Sequence, residues 1–264
     1  MSEFKSHNYW ALILGGSSGL GLASAKKLAQ HGMNICIIHR NSRSEMSEIE
    51  NYFNEIKNLN VELLSFNINA TNPEKMETAI TELKDKIKDG KIRCLLHSIA
   101  KGNLKPMISN ETDELQKLDF MMTFDNMAVS LFDWTKALFE NDLFAKDARV
   151  ISFSSEGNKK AFAGYAAVSV AKAALEAITR NLALEFAEYG LRSNCIQAGI
   201  TDTISQRMIP GSEKMLISAE RRNPFGRTTK PEDVADVVYL LCKDEAAWIN
   251  GTVIVVDGGE SITQ

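Results

Sequence analysis

Tyr165 and Lys172 have the side-chain chemistry of a proton donor and a neighbouring cation. They bracket the segment Y-A-A-V-S-V-A-K and stand seven positions apart. In a helix, seven residues make nearly two turns, so both side chains would project from one face, about 10.5 Å apart along the axis. A nearby ammonium lowers the pKa of a phenol and makes it a better proton donor to developing oxyanion charge. At that distance the effect is long-range, so we expect Lys172 to hold the ribose of a bound nucleotide and Tyr165 to meet a substrate oxygen.

A glycine-rich segment near the amino terminus predicts a nucleotide site. Without such a site, Tyr165 and Lys172 would be interpreted as ordinary helix-surface residues. L-G-G-S-S-G-L-G-L-A forms a GxxxGxG pattern directly after an apolar strand candidate. The first glycine permits a tight turn, the second lets the backbone approach a pyrophosphate, and the third lets the following helix pack closely. N–H groups at the helix start attract phosphate. The alternative is a glycine-rich turn without a ligand. The predicted contacts are Gly15, Ser17, Ser18, Gly19, Leu20 and Gly21.

The residues after the second strand candidate indicate which dinucleotide binds. An acidic residue there binds the ribose 2′-hydroxyl and repels a 2′-phosphate, but this segment reads I-I-H-R-N-S-R. Arg40, with Ser42 and Arg43 close by, can supply charge-assisted contacts to a 2′-phosphate. We therefore predict NADPH as the cofactor, against the alternative that the arginines solvate a loop. After the third strand candidate, Asn67 and Ile68 are expected to contact the adenine.

Seven apolar runs of strand length alternate with helical segments along the whole chain. The strand candidates cover residues 10–14, 34–39, 61–66, 92–97, 149–153, 192–197 and 253–256. The helical segments include residues 20–31, 73–88, 165–189 and 231–243. The alternation, with no Pro/Ser-rich linker, predicts a single doubly wound, Rossmann-like α/β domain over residues 1–264, with a seven-stranded parallel sheet. Regular structure is weakest over 101–110 and 200–227, and both segments follow strand candidates, so both are expected to border a ligand site.

Composition excludes several other classes of protein. The chain has 264 residues, 44% of them hydrophobic and 24% charged, with a net charge of −4. This balance is typical of a globular protein and offers no broad basic surface for nucleic acid. Four dispersed cysteines are expected to be buried thiols, and no Cys/His spacing predicts a metal site. With no signal-peptide pattern and no apolar run near 18 residues, we expect a cytoplasmic protein.

From about residue 9 to residue 259 the chain resembles a short-chain dehydrogenase/reductase. The glycine turn, P-E-D-V-A at 231–235 and V-D-G-G at 256–259 match elements of that family, although Leu14 replaces the usual threonine before the first glycine. Most members place the tyrosine and the lysine four positions apart, and Ser169 occupies the position four after Tyr165. The longer step resembles the divergent enoyl-acyl-carrier-protein reductase branch. H-S-I-A after the fourth strand and R-R-N-P-F-G-R are similar to its NADPH-using members.

This resemblance implies NADPH-dependent reduction of the 2,3 double bond of a trans-2-enoyl thioester, carried on acyl carrier protein, in fatty-acid or related acyl-chain synthesis. Hydride would attack Cβ while charge develops on the thioester oxygen two carbons away, which suits a displaced tyrosine acting as an oxyanion donor. The runner-up is a 3-oxoacyl or other carbonyl reductase, and a non-catalytic NADP-sensing protein is the third alternative. Family members are commonly homotetramers, so the resemblance also implies that assembly.

The same resemblance assigns further site residues. The family's catalytic serine matches Ser155, with Ser154 as its neighbour, although many enoyl reductases have a second tyrosine there. The family's helical asparagine corresponds to Met127, or to Asn126 with a one-residue slip, so a proton relay through it is not assumed. We interpret His97 as structural rather than as a general base. Residues beside the cofactor would be Ser98, Ile99, Ala100, Gly199, Thr201 and Thr203.

Two features of residues 200–227 point to substrate binding. Met208, Ile209, Met215, Leu216 and Ile217 stand among charges, as in a mobile flap over an acyl chain or, alternatively, in an ordinary packed helix pair. The alternative for Thr203 is capping of a helix that begins at Ile204. A basic cluster would attract an acidic carrier protein, or would be solvated surface. Its members are Lys214, Arg221, Arg222 and Lys230.

Overall fold

Seven parallel strands form one sheet in the computed structural model, which describes residues 3–263. Their order across the sheet is β3-β2-β1-β4-β5-β6-β7. All seven predicted strands are present, and the predicted doubly wound, seven-stranded α/β fold is confirmed. Strands β1 to β7 are Tyr9–Leu14, Asn34–His39, Leu63–Asn67, Lys91–His97, Phe144–Ser155, Leu191–Ala198 and Val253–Val256.

Helices cover both faces of the sheet. Helices α1 to α9 are Gly19–Gln30, Met46–Lys57, Pro73–Ile87, Lys117–Phe124, Ser130–Glu140, Ala166–Glu185, Ile204–Arg207, Ser212–Arg222 and Pro231–Cys242. Alternate residues of β1 point to opposite sides, so Ala11 and Ile13 pack with α1, α2 and α9, while Leu12 and Leu14 pack with α3, α5 and α6. Apolar burial on both faces explains why the strands are nearly continuous apolar runs.

The boundaries of several predicted elements differ in the structure. The predicted helix over 165–189 is α6 followed by a short 3₁₀ turn, and it begins at Ala166, so Tyr165 lies outside it. The segment 200–227, predicted to be weak in regular structure, contains α7 and α8, whereas 101–110 has neither helix nor strand. The apolar pattern of the sequence gives little indication of α8, because only Ala219 of that helix is buried.

The carboxyl ends of the strands meet at the point where the sheet order reverses between β1 and β4, which is where doubly wound sheets bind ligands. Leu14, at the end of β1, is in register with His97, at the end of β4. His97 is opposite Ser152, and β5 continues beyond that level to Ser155. Ser155 therefore lies beyond the level at which β1 and β4 end.

Three arginines converge on Asp147 at the opposite end of the sheet. Arg93 on β4 and Arg149 on β5 are each 1% exposed, and both form ion pairs with the Asp147 carboxylate. Arg192 on β6 pairs with the same carboxylate. Arg93 and Arg149 also donate to the carbonyls of residues 241–243, where α9 ends. Arg93 and Arg149 therefore stabilise the carboxyl-terminal end of α9, where the helix dipole is negative. They also share the Asp147 carboxylate as their counter-ion.

Candidate active site

Tyr165 stands immediately before α6 and points into a cleft. Its backbone angles, φ −109° and ψ 3°, are not helical, so the prediction that Tyr165 lies within the helix is wrong: it is the N-cap residue of α6. The ring packs edge-on against Phe162, with centroids 6.1 Å apart. A Cβ at Gly157 would lie 2.5 Å from the Tyr165 ring, so only glycine leaves room for the ring here. The tyrosine is thus held by its surroundings and not by helical geometry.

Lys172 is buried on α6 and donates through Nζ to the Phe153 carbonyl of β5 at 2.5 Å. Burial lowers the pKa of Lys172 to about 8, while the Cys195 thiol and the Glu176 carboxylate raise it in part. Burial raises the pKa of Tyr165, and a hydrogen bond from Ser155 lowers it only in part. Burial therefore sets the direction of the Tyr165 pKa shift. Tyr165 is a protonated hydrogen-bond donor at neutral pH.

The two serines at the end of β5 have different surroundings. The Ser155 hydroxyl lies 3.4 Å from the Tyr165 hydroxyl and lines the same cleft. Ser154 is 4% exposed and donates to Glu176 at 2.7 Å. Because strand side chains alternate between faces, only Ser155 can meet a substrate beside Tyr165.

The glycine turn has the close backbone approaches that a bound pyrophosphate requires. Gly15 and Gly19 have φ values of +83° and +52°, in the left-handed region that favours glycine. A Cβ at Gly15 would lie 2.6 Å from the Ser98 carbonyl oxygen, and one at Gly21 would lie 2.3 Å from the Gly15 carbonyl oxygen. Side chains at either position would displace α1 from the ends of β1 and β4. The turn therefore fits a dinucleotide, with the free N–H groups of the first turn of α1 available to phosphate.

The other turn residues divide between support and exposure. Ser17 is buried at 9% exposure, and Leu20 packs against the core beneath α1. Ser18 is exposed in extended backbone directly before α1, and no side-chain cap bond is formed there. Ser98 donates its N–H to the Leu14 carbonyl at 2.8 Å. Ile99 packs on the core, and Ala100 is exposed.

Arg40 is exposed on the loop that follows β2, beside the glycine turn. Asn67, at the end of β3, accepts from the N–H and donates to the carbonyl of Asn41, at 3.0 Å each, so it fixes this loop. Ser42 bonds instead to Glu45, through its N–H and hydroxyl at 2.7 Å each. Partial burial lowers the pKa of Lys101, and the nearby Arg40 guanidinium lowers it further. Two cations near each other suit an anion such as a phosphate.

The position of the family's asparagine lies in a π-helical turn, Asp125–Val129, between α4 and α5. Asn126 donates its amide to the Met122 carbonyl at 2.7 Å, within its own helix. Met127 is buried against Val168 and Ala171. Neither side chain is among those that line the cleft.

His97 is fully buried at the end of β4. Its Nε2 lies 2.8 Å from the hydroxyl of Ser130, which donates to the Asn126 carbonyl. Burial, together with the Lys172 ammonium, lowers the pKa of His97 to about 3. The ring is therefore neutral across the physiological range and joins β4 to α5, which agrees with a structural role.

Gly199, Thr201 and Thr203 follow β6 beside the cleft. The Thr203 hydroxyl accepts from the Gln206 N–H at 3.1 Å, so it caps α7, as one of the two interpretations requires. A Cβ at Gly19 would meet the Thr203 methyl at 3.4 Å, which places this threonine across from the glycine turn. Thr201 donates to the Gly199 carbonyl at 2.9 Å. Gly199 therefore lines the cleft, and Thr203 lies beside the nucleotide turn.

The cleft beside Tyr165 has a volume of about 80 Å³ and opens to solvent. Its wall is formed by the ends of β5 and β6 and by the segment predicted as a flap. Ile209 and Met215 line it, whereas Met208 and Ile217 are 70% and 58% exposed. Some apolar residues of the predicted flap therefore face the cleft. Closure of the flap over an acyl chain stays a prediction.

Glu260 was missed by the sequence analysis, and it holds both ends of this flap. It is 2% exposed, accepts from the Ile200 N–H at 3.1 Å and forms an ion pair with Arg222 at 3.0 Å. Burial raises the pKa of Glu260. Arg222 is consequently occupied, while Lys214, Arg221 and Lys230 of the predicted basic cluster are exposed. No local pattern identifies Glu260, because its two partners are distant in sequence.

Three further properties concern metal ions, cysteines and membranes. Among residues 3–263 no group of three or more His, Cys, Asp or Glu side chains could hold a metal ion. All four cysteines are buried and free. In the same part of the chain no helix has the length and apolar character needed to cross a bilayer.

Comparison with known proteins places this geometry among oxidoreductases. A family model described as Enoyl-(Acyl carrier protein) reductase matches residues 15–261. Oxidoreductase UcpA of Escherichia coli strain K12 is 27% identical over 261 residues, covering 96% of this chain and 95% of that protein. The enoyl-(acyl-carrier-protein) reductase (NADH) FabI of Aquifex aeolicus is 31% identical over 173 residues, covering 66% of this chain and 63% of that protein.

Solved structures agree with this fold. The crystal structure of the enoyl-(acyl-carrier-protein) reductase (NADH) from Aquifex aeolicus VF5 matches with a TM-score of 0.82 at 26% identity, over 97% of both chains. A short chain dehydrogenase from Burkholderia cenocepacia J2315 in complex with NADP matches with a TM-score of 0.79 at 23% identity, over 97% of this chain and 99% of that chain, which shows the fold alone. The resemblance indicated by the motifs is thereby confirmed.

Proposed function

The chain belongs to the enoyl-(acyl carrier protein) reductase family of short-chain dehydrogenases/reductases, and from that premise we propose that it reduces the 2,3 double bond of a trans-2-enoyl thioester with NADPH. The observation that carries the proposal is the position of Tyr165 before the first turn of α6. Four positions before Lys172, where most family members have their tyrosine, this chain has Val168, which is buried. The phenol is therefore displaced from the lysine, as the longer conjugated acceptor requires.

The residues of the chain divide the work of this reaction. The glycine turn and the Arg40 loop would hold NADPH, which supplies the hydride that adds to Cβ. The electron pair of the double bond would move toward the thioester oxygen, and the Tyr165 hydroxyl would donate a hydrogen bond to the resulting enolate oxygen. Its raised pKa keeps that hydroxyl protonated. Cα of the enolate would then take a proton from water, which can enter the solvent-open cleft, to give the saturated thioester. Lys172 would hold the nicotinamide ribose, and Ser155 lies beside Tyr165 as a second donor.

A carbonyl reductase is the second candidate, and one observation favours it. A serine hydroxyl lies 3.4 Å from the tyrosine hydroxyl, and two donors on one oxygen suit the polarisation of a ketone. We rank it second because the buried Val168 excludes the shorter tyrosine–lysine spacing of that chemistry.

The partner proposals rest on surface residues. We propose that acyl carrier protein approaches the exposed cations Lys214 and Arg221 on α8, next to the cleft. We also propose a homotetramer, because apolar side chains are exposed on two separate parts of the surface. Leu118 and Met121 on α4 are 77% and 56% exposed, and Trp248, before β7, is 97% exposed.

One assay series tests the proposed reaction. A trans-2-enoyl thioester and the 3-oxoacyl thioester of equal chain length, each linked to acyl carrier protein and to coenzyme A, are incubated with NADPH, and loss of reduced nicotinamide is followed. We expect turnover of the enoyl substrate, with a lower KM for the carrier-linked form. Turnover of only the 3-oxoacyl substrate would replace the leading proposal by the second candidate.

Arg40 tests the cofactor proposal. We expect Arg40→Gln to raise the KM for NADPH about tenfold or more, because a hydrogen bond to a charged group contributes about 1.5–3 kcal/mol, and to leave the KM for NADH unchanged. Steady-state kinetics with both cofactors measure this. Arg180→Gln, which removes an exposed charge on α6, is the matched control. Equal effects on NADPH and NADH would show that Arg40 does not contact a 2′-phosphate.

A further inference from the structure

Glu176 is a buried carboxylate that the proposed reaction does not use directly. It lies on α6 four residues after Lys172 and is 8% exposed. Residues four apart on a helix are neighbours on one face, and the Glu176 carboxylate raises the pKa of Lys172. Burying a carboxylate costs folding free energy unless the carboxylate is paired and hydrogen-bonded.

The two hydrogen-bond partners of Glu176 come from the end of β5 and from the short 3₁₀ turn, Glu156–Asn158, that follows it. The Ser154 hydroxyl donates to Oε1 at 2.7 Å, and the Asn158 amide donates to the same oxygen. These two residues stand on either side of the tripeptide 155–157. One carboxylate therefore fixes both ends of this short segment.

The tripeptide between these anchors forms the wall against which Tyr165 is placed. Ser155 lies 3.4 Å from the Tyr165 hydroxyl, and Gly157 packs under the Tyr165 ring. Just before it, the Phe153 carbonyl accepts from Lys172. A displacement of the segment 153–158 would thus move the surroundings of both reacting side chains at once.

Lys172 has few charged neighbours that could substitute for Glu176. Cys195 on β6 and Glu176 on α6 raise the pKa of Lys172, and His97 on β4 also lies near its ammonium. Burial raises the pKa of Cys195 to about 11 and lowers that of His97 to about 3, so both are neutral near pH 7. Among these neighbours, Glu176 is the carboxylate.

We propose that Glu176 is a positioning residue that acts through Ser154 and Asn158 to hold the wall behind Tyr165, and through its charge to keep Lys172 protonated. The proposal rests on the proposed function for the roles of Tyr165 and Lys172. It names no new contact with substrate. It predicts two separable effects, one on the placement of Tyr165 and one on the pH range over which Lys172 is an ammonium.

Glu176→Gln tests the effect of charge. Because burial already depresses the pKa of Lys172, loss of the carboxylate depresses it further, and the ammonium is lost at a lower pH as the pH rises. We expect the alkaline limb of both kcat/KM and NADPH affinity, measured by nicotinamide fluorescence, to move down by about one pH unit. Glu185→Gln at the exposed end of α6 is the matched control and should keep the wild-type profile.

Asn158→Ala tests the placement effect without removing the charge. We expect kcat to fall about tenfold, because small misplacements near reacting groups have large effects on rate, with the alkaline limb and the NADPH affinity as in wild type. If Glu176→Gln fails to fold, a wild-type kcat in Asn158→Ala overturns the placement role, and a fall without a change in NADPH affinity supports it.

The outcomes separate this proposal from the proposed function. NADPH binding against pH is measured without any acyl substrate, and NADH is titrated in parallel, so a wrong substrate or cofactor assignment leaves the charge test of Glu176 intact. A folded Glu176→Gln protein with the wild-type alkaline limb and the wild-type kcat would overturn the proposal. A uniform loss of thermal stability with unchanged pH profiles would show that Glu176 is only structural.

Discussion

Replacing Tyr165 by phenylalanine is expected to lower kcat by about a hundredfold to a thousandfold, the effect of removing one donor to a developing oxyanion. The substitution removes only the hydroxyl, and the ring contacts with Phe162 and Gly157 remain. Affinity for NADPH, measured by fluorescence titration, should stay within about twofold of wild type because the hydroxyl is not in the cofactor turn. The loss should therefore appear in kcat and not in cofactor binding.

Tyr189→Phe is the matched control, because it removes a phenol that is 52% exposed at the far end of α6. It should retain wild-type kinetics. A Tyr165→Phe protein that keeps more than about a tenth of the wild-type kcat would remove the phenol from the mechanism, and Ser155 would then be the donor to test. Complete loss of NADPH binding would contradict the placement of Tyr165 on the substrate side of the site.

Asp147→Asn is expected to produce the largest loss of stability. It leaves three guanidiniums, two of them buried, without their shared carboxylate. Breaking a buried ion pair destabilises by about 3–5 kcal/mol, and we expect about 3 kcal/mol here because the Asp147 side chain is itself 33% exposed. For a chain of this size that lowers Tm by about 6–12 °C, measurable by thermal unfolding.

The ion pairs of Asp147 also predict how the stability of the protein changes with pH. Burial alone would raise the pKa of Asp147, but Arg149 and Arg93 hold it below its ordinary value. A carboxylate with a lowered pKa in the folded state contributes stability above its unfolded pKa, near 4, and loses it as the pH falls through the folded pKa. The Tm difference between wild type and Asp147→Asn should therefore shrink below about pH 4.

Asp142→Asn provides the control for this stability prediction. Asp142 pairs with Lys91 at 2.9 Å, but its side chain is 95% exposed. Exposed ion pairs contribute about 0–1 kcal/mol, so its Tm should stay within about 3 °C of wild type. Equal losses in the two variants would mean that the buried arginines do not depend on Asp147.

Most of the fold could be predicted from local patterns. Each strand is a run of apolar residues because both faces of a parallel sheet are buried. The strands Asn34–His39 and Val253–Val256 have the predicted bounds. Helix α8 lies in a segment predicted to be weak in regular structure, with a packed helix pair as the alternative, since its residues are mostly exposed and its pattern is weakly apolar. Where burial on one face is small, periodicity carries little information.

The residues of the site divide in the same way. The glycine turn is local, because one segment supplies both the backbone angles and the close approaches. The surroundings of Tyr165 are not set by a local segment, because they depend on which residues of β5 lie beside α6. Ser154 and Ser155 are adjacent and chemically identical, and only the alternation of the strand against α6 turns one to Glu176 and the other to Tyr165.

The sequence by itself determined the fold class, the dinucleotide turn and the displaced tyrosine–lysine pair, because these depend on apolar periodicity, on glycine and on spacing along one segment. The tertiary structure alone decided how Tyr165 is held, that burial and not Lys172 sets the direction of its pKa shift, and that Glu176 and Glu260 support the site. Those properties arise from contacts between distant segments and from desolvation, and neither is encoded in the order of residues along a single element.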